Sequence, residues 1–160
     1  MHDKQQFIAI IQANEGLIYK VTRIYSYSPE DAQDLYQEIV YQLWRAFPSF
    51  RNESKISTWM YRIALNTAIT YSNKQKRKRS HLPIDDVLLN RTDSSDAIMD
   101  ERYEMLYAEI KKLSSIEKGI ILLHLEGRSY EEIATITGFT SSNVGTRLNR
   151  IKQKLITQLN

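Results

Sequence analysis

Cysteine is absent from the 160 residues, which removes disulfide frameworks, thiolate zinc sites and cysteine nucleophiles together and suits a reducing compartment. Glycine and proline are scarce, at five and three, and no long β-branched alternation replaces them. Apolar residues recur instead at three and four, the helical period, so an all-α fold is expected. Long hydrophobic runs are missing as well: stretches such as "IILL" at Ile120 to Leu123 cannot cross a bilayer. The first residues, "MHDKQQFIAIIQ", lack the basic start and unbroken apolar core of a signal peptide. These absences predict a soluble cytoplasmic protein with no membrane partner. Catalytic signatures are equally sparse. His2, His81 and His124 are scattered, there is no Gly-rich phosphate loop, and paired carboxylates stand beside no candidate nucleophile. No enzyme, cofactor or metal site is therefore expected.

What is present is charge of uneven distribution. The net charge of +3 leans only slightly toward a polyanionic partner. The run "KQKRKR" at Lys74 to Arg79, however, places five cations in six positions, whereas "PEDAQDLYQE" at Pro29 to Glu38 has four carboxylates and no cation. The two ends of this region should face different partners. A solvated helix face or a disordered basic tail would have the same composition.

Helical signals extend from about Asp3 to Tyr71 and break twice. At "YSYSPED" Ser28 can cap a helix, Pro29 suits its first position, and Glu30 and Asp31 favour its positive end. The second break is "FPSFRNESKIS". Periodicity then dissolves in "RSHLPIDDVLLNRTDSSD", which reads as a flexible acidic linker. Two small helical domains are expected, residues 1–79 and 97–160, joined by a linker at 80–96. In the second, Met99, Tyr103, Leu106, Ile110 and Leu113 form one apolar stripe. "SSIE" at Ser114 to Glu117 and "SYEE" at Ser129 to Glu132 match capping boxes, and Gly127 follows an apolar run as a helix stop.

The final stretch, "SYEEIATITGFTSSNVGTRLNRIKQKL", reads as two short helices around a tight turn. Ala134 is small where they must approach, and Gly138 can take the positive φ of the turn. Val144, Leu148, Ile151 and Leu155 share one stripe at 100° per residue. The other face has Ser142, Thr146 and Asn149, flanked by Asn143, Arg147 and Arg150, side chains able to bond base edges and phosphates in a major groove. Together these features describe a helix-turn-helix directed at double-stranded DNA.

Two blocks, "DAQDLYQEIVYQLWRAF" with "FRNESKISTWMYRIALNTAITYSNKQKRK" and "LSSIEKGIILLHLEGRSYEEIATITGFTSSNVGTRLNRIKQKL", resemble the extracytoplasmic-function group of bacterial sigma factors over almost the whole chain. The resemblance implies a factor built of regions 2 and 4, which directs core RNA polymerase to a small set of promoters. It places Asp31, Asp34, Leu35, Gln37 and Glu38 on the helix that docks on the polymerase β′ coiled coil, with region 4 facing the β flap. Gln33 stands where the pattern usually has Glu, so one carboxylate of the patch is absent. The resemblance further implies that "FRNESKISTWMYRIALN" opens and reads the minus-10 element. Arg51, Asn52, Ser54 and Lys55 lie in a base-capturing loop, with Trp59, Arg62 and Asn66 nearby; Trp59 is either core or a stacking surface. Lys74, Lys76, Arg77, Lys78 and Arg79 would neutralise phosphates upstream. Ser142, Asn143, Thr146, Arg147 and Arg150 would contact the minus-35 element, with Gly145 in a position where the pattern usually has Lys. Housekeeping sigma factors carry a Trp pair where this chain has Arg62 and Ile63, which implies weak promoter melting here. An anti-sigma factor is a further candidate partner. The rival reading is a homodimeric operator-binding regulator, which would need neither the acidic helix nor the "STWMYRIALN" block.

Overall fold

The computed structural model describes residues 4–79 and 101–159, with side chains at 4–77 and 101–159. The expected linker at 80–96, together with Met99 and His81, lies outside the described residues. The chain divides into two compact units, Met1–Gln75 and Lys76–Asn160. Every regular element among the described residues is helical, and none is long and apolar enough to cross a membrane.

The first unit contains α1 (Lys4–Ala13), α2 (Glu15–Tyr25), α3 (Pro29–Ala46), a 3₁₀ turn (Phe47–Ser49) and most of α4 (Ile56–Arg79), whose last residues fall in the second unit. One break was not foreseen. Asn14 separates α1 from α2, its Nδ2 donating back to the Ile10 carbonyl at 2.8 Å, so the side chain competes with the backbone for a helical acceptor. The α3 start is as expected: Ser28 Oγ accepts from the Asp31 amide at 3.1 Å and Pro29 occupies the first turn. Leu35, Ile39 and Leu43 repeat every four residues and are all fully buried, each burial stabilising the fold by about 1.5–3 kcal/mol. They meet Ile18, Val21 and Ile24 from α2, while α4 contributes Met60, Tyr61, Ala64 and Ala68 to the same core. Ile63, beside Met60, is only half-buried.

The second unit begins with α5 (Glu101–Lys111), followed by α6 (Ser115–Leu125), α7 (Tyr130–Thr137) and α8 (Ser141–Leu159). Both capping boxes form, Ser114 with Glu117 and Ser129 with Glu132. Gly127 and Gly138 take φ of 81° and 87°, the left-handed conformation that ends a helix without steric cost. The α5 stripe is buried only at its C-terminal end: Ile110 and Leu113 are covered, whereas Tyr103 is 56% exposed. Ile120, Ile133 and the α8 stripe Val144, Leu148 and Ile151 complete a core around which α6, α7 and α8 pack. An ion pair joins α6 to α8, Lys154 Nζ to Glu117 Oε2 at 2.7 Å.

Candidate nucleic-acid interface and acidic docking face

Helix α8 is begun by Thr140, whose Oγ1 accepts from the Asn143 amide at 3.1 Å. With its apolar stripe buried, the helix turns its polar residues outward. Ser142, Asn143, Thr146, Arg147 and Arg150, the five expected minus-35 contacts, line one open concavity of about 390 Å³ together with Thr140. Thr146 Oγ1 bonds back to the Ser142 carbonyl at 3.2 Å. Arg147 is constrained on two sides, by Asn143 Oδ1 at 2.6 Å from its Nε and by the Phe139 ring, 4.2 Å from the guanidinium carbon. Sequence reasoning passed over Thr140 and Phe139. Thr140 was legible as a cap three residues before Asn143; Phe139 was not, because its ring reaches Arg147 only through the geometry of the turn. Gly145 does not open onto empty space. A Cβ there would stand 3.3 Å from Tyr130 Cε2, so the missing side chain makes room for a neighbouring ring.

In the first unit, Arg51, Asn52, Ser54 and Lys55 are exposed in the loop before α4. Asn52 has φ of 58°, the left-handed region that Asn enters more readily than most residues. Beneath the loop Trp59 is half-buried, its ring 4.9 Å from Phe50 and 6.2 Å from Phe47. The ring packs on two buried phenylalanines and keeps part of its surface accessible, an arrangement compatible with both readings of Trp59. Along α4, Arg62, Asn66, Thr70, Asn73 and Arg77 are all exposed and fall within an arc of about 80°, a polar stripe roughly 22 Å long. The basic run continues this helix. Lys74 and Lys76 consequently stand on nearly opposite sides of it at 100° per residue, so the cations surround α4 instead of lining one face. The side chains of Lys78 and Arg79 lie outside the described residues.

The acidic face lies on α3. Asp31, Asp34 and Glu38 share an arc of about 60°; Asp34 and Glu38 are exposed and Asp31 is half-buried. Glu38 Oε1 accepts from Gln42 at 2.9 Å. Tyr71 of α4 donates its hydroxyl to Asp31 Oδ1 at 3.4 Å. Burial first, then the charges of Asp31 and Asp34, push the Tyr71 hydroxyl up to about 12, so it stays a protonated donor across working pH. Leu35 requires correction as a contact residue. Its side chain is fully buried, so it supports the face from beneath and offers no surface to a partner. Gln37 is exposed beside the stripe. Gln33 lies about 160° round the helix from Asp31, so the three-carboxylate stripe is complete without it.

Comparison with known proteins resolves the family. Residues 10–78 match the model for sigma-70 region 2 and residues 103–155 the model for sigma-70 region 4. The chain belongs to the sigma-70 family, in its extracytoplasmic-function group. It is similar to the ECF RNA polymerase sigma-E factor of Haemophilus influenzae, 29% identical over 168 residues that cover 96% of this chain and 87% of that one. The corresponding factor of Escherichia coli K12 is 31% identical over 151 residues, covering 86% and 79%. Two solved structures share the fold. The sigma factor RpoE from Bartonella quintana, in complex with the anti-sigma factor NepR, aligns with a TM-score of 0.71 and 24% identity over 98% of this chain and 95% of that one. CnrH, in complex with the cytosolic domain of CnrY, aligns with 0.69 and 18% over 98% and 89%. The first unit thus contains sigma region 2 and the second region 4. The sigma factor works with core RNA polymerase and promoter DNA to direct transcription initiation.

Proposed function

We propose that residues 1–79 of this sigma factor dock on the polymerase and open the minus-10 element, while residues 97–160 read the minus-35 element from the α8 concavity. The observation that carries this reading is the division of labour on region 2: a stripe of three carboxylates on α3 and, on α4, a polar stripe containing Arg62 and Arg77. Carboxylates repel phosphate, so the α3 stripe suits a basic protein surface and the α4 stripe suits DNA. The factor supplies no catalytic group of its own and acts in the cytoplasm, where the polymerase is. Because both solved relatives are bound to partners, NepR and CnrY, a masking protein of the anti-sigma class completes the proposed set of partners. A homodimeric regulator would leave the acidic stripe without a purpose.

The test is open-complex formation by the reconstituted holoenzyme on linear duplex promoters and on promoters already mismatched over the minus-10 element. Arg62 and Ile63 offer no aromatic wedge to the first opened pair, and stacking is worth about 1–3 kcal/mol per base. A single minus-10 substitution should therefore cost much more on duplex than on pre-melted DNA. Equal losses on both templates would place the defect in initial binding and overturn the melting role assigned to region 2.

A further inference from the structure

Arg147 is arranged before any DNA arrives. The Phe139 ring lies 4.2 Å from its guanidinium carbon and covers one side of the group, and the bond from Nε to Asn143 Oδ1 at 2.6 Å ties down one edge. Both supports are themselves held. Phe139 follows Gly138, whose φ of 87° makes the turn, and the Asn143 amide is tied to Thr140 Oγ1. An arginine ordinarily surrenders much rotamer freedom on binding; here a large share is surrendered on folding.

The same contacts decide which edge is presented. With Nε engaged and one face covered, a ligand meets the pair of terminal amino groups end-on, inside the concavity shared with Ser142, Thr146 and Arg150. Two parallel donors match O6 and N7 of guanine in the major groove. A phosphate contact tolerates a mobile side chain, since the backbone is alike at every step, and transfers no sequence information. A half-buried arginine held by a ring on one side and by a hydrogen bond at Nε is suited to discriminating one base. Asn143 changes role in consequence. Reading adenine requires its carbonyl oxygen and amide nitrogen aimed together at the base edge, and here the oxygen is turned to Arg147.

We infer that Arg147 is a pre-set reader of one guanine in the minus-35 element, with Phe139 and Asn143 as its positioning residues. This inference rests on the placement of α8 in the groove proposed above. The test is a promoter library randomised over the minus-35 element, transcribed by holoenzyme containing the full-length chain. The wild-type factor should show one position with a strong guanine preference, and Arg147→Ala should erase it. Phe139→Leu and Asn143→Ala should each reduce the guanine-over-adenine ratio at that same position by about 3- to 10-fold, the range of a partly desolvated cation–π contact. Phe139→Tyr, which keeps the ring, should restore it. Circular dichroism identifies any variant that fails to fold, and Asn143→Ala, exposed and outside the core, carries the test if Phe139→Leu does. If Arg147→Ala leaves every base preference unchanged, the groove placement of this residue is wrong and the inference falls with it. If Arg147→Ala erases the preference while Phe139→Leu and Asn143→Ala preserve it, only the positioning role is overturned.

Discussion

Reversing Asp34 and Glu38 to Lys tests the acidic face most directly, because both side chains are exposed and their loss should leave the fold intact. Neither lies in the first turn of α3, so the helix dipole is little affected; surface changes of this kind alter stability by about 0.5 kcal/mol or less each. Glu38 gives up its hydrogen bond from Gln42, and Asp34 gives up its charge near the Tyr71 hydroxyl. Binding is another matter. Against a basic partner the double variant converts two attractions into two repulsions. An exposed ion pair is worth about 0.2–1 kcal/mol, while a well-placed unit pair approaches about 4 kcal/mol at 4 Å and an effective dielectric of 20. The expected penalty is about 1–4 kcal/mol, or roughly five- to several-hundred-fold in affinity. Size-exclusion co-elution with core polymerase, followed by competition against the wild-type factor, measures it. The penalty should shrink in high salt, where the screening length falls to about 3 Å at 1 M. Leu35→Ala supplies the contrast: a fully buried leucine lost to Ala costs about 2–5 kcal/mol of stability, so docking should fail only together with the fold. A double variant that retains wild-type affinity at low salt would refute the assignment of this face to the polymerase.

On the DNA side, Arg62→Ala with Arg77→Ala should lower the slope of log affinity against log salt by about 1.8 for duplex or 1.4 for single strands, if each arginine neutralises one phosphate; an unchanged slope removes the α4 stripe from the backbone contacts. Trp59→Ala should lower the melting temperature of the protein, since the ring packs on Phe50 and Phe47, and Trp59→Phe should recover most of the loss; unaltered melting with impaired open-complex formation would make Trp59 a stacking surface instead. Burial raises the Glu117 carboxyl, but hydrogen bonds from Lys154 and Ser114 outweigh it and the net shift is downward. A depressed carboxylate contributes stability above its unfolded pKa and loses it as pH falls through the folded value. Glu117→Gln should therefore be less stable than wild type near pH 7 in urea titrations and converge with it in acid, and a pH-independent difference would sever the link to Lys154.

How much could be read without coordinates depended on how far apart in sequence the interacting groups lie. Ser28, the two capping boxes and the left-handed Gly127 and Gly138 were all legible, because caps and stops are hydrogen bonds made within a few residues and leave a short pattern. The buried α8 stripe and its polar opposite face followed from the helical period alone, and with them five of the six residues that line the concavity. Asn14 escaped notice because an Asn bonding back one turn looks like any polar residue in an amphipathic helix.

Other features were decided by tertiary structure. Leu35 sits among carboxylates in sequence, yet its side of α3 is fully buried and faces the packing with α2. Tyr71 reaches Asp31 across 40 residues and Lys154 reaches Glu117 across 37, encounters set by how helices cross. That Tyr130 packs beside Gly145 was not legible in the sequence, and the Phe139 ring meets Arg147 only because the turn swings it over α8. The sequence alone determined which segments are helical and which side of each is apolar, since those depend on the chain's own short-range geometry. Which polar groups meet, and which residues of an exposed-looking run are hidden, depended on the angles between elements, where a small rotation changes every side-chain encounter and leaves the periodicity untouched.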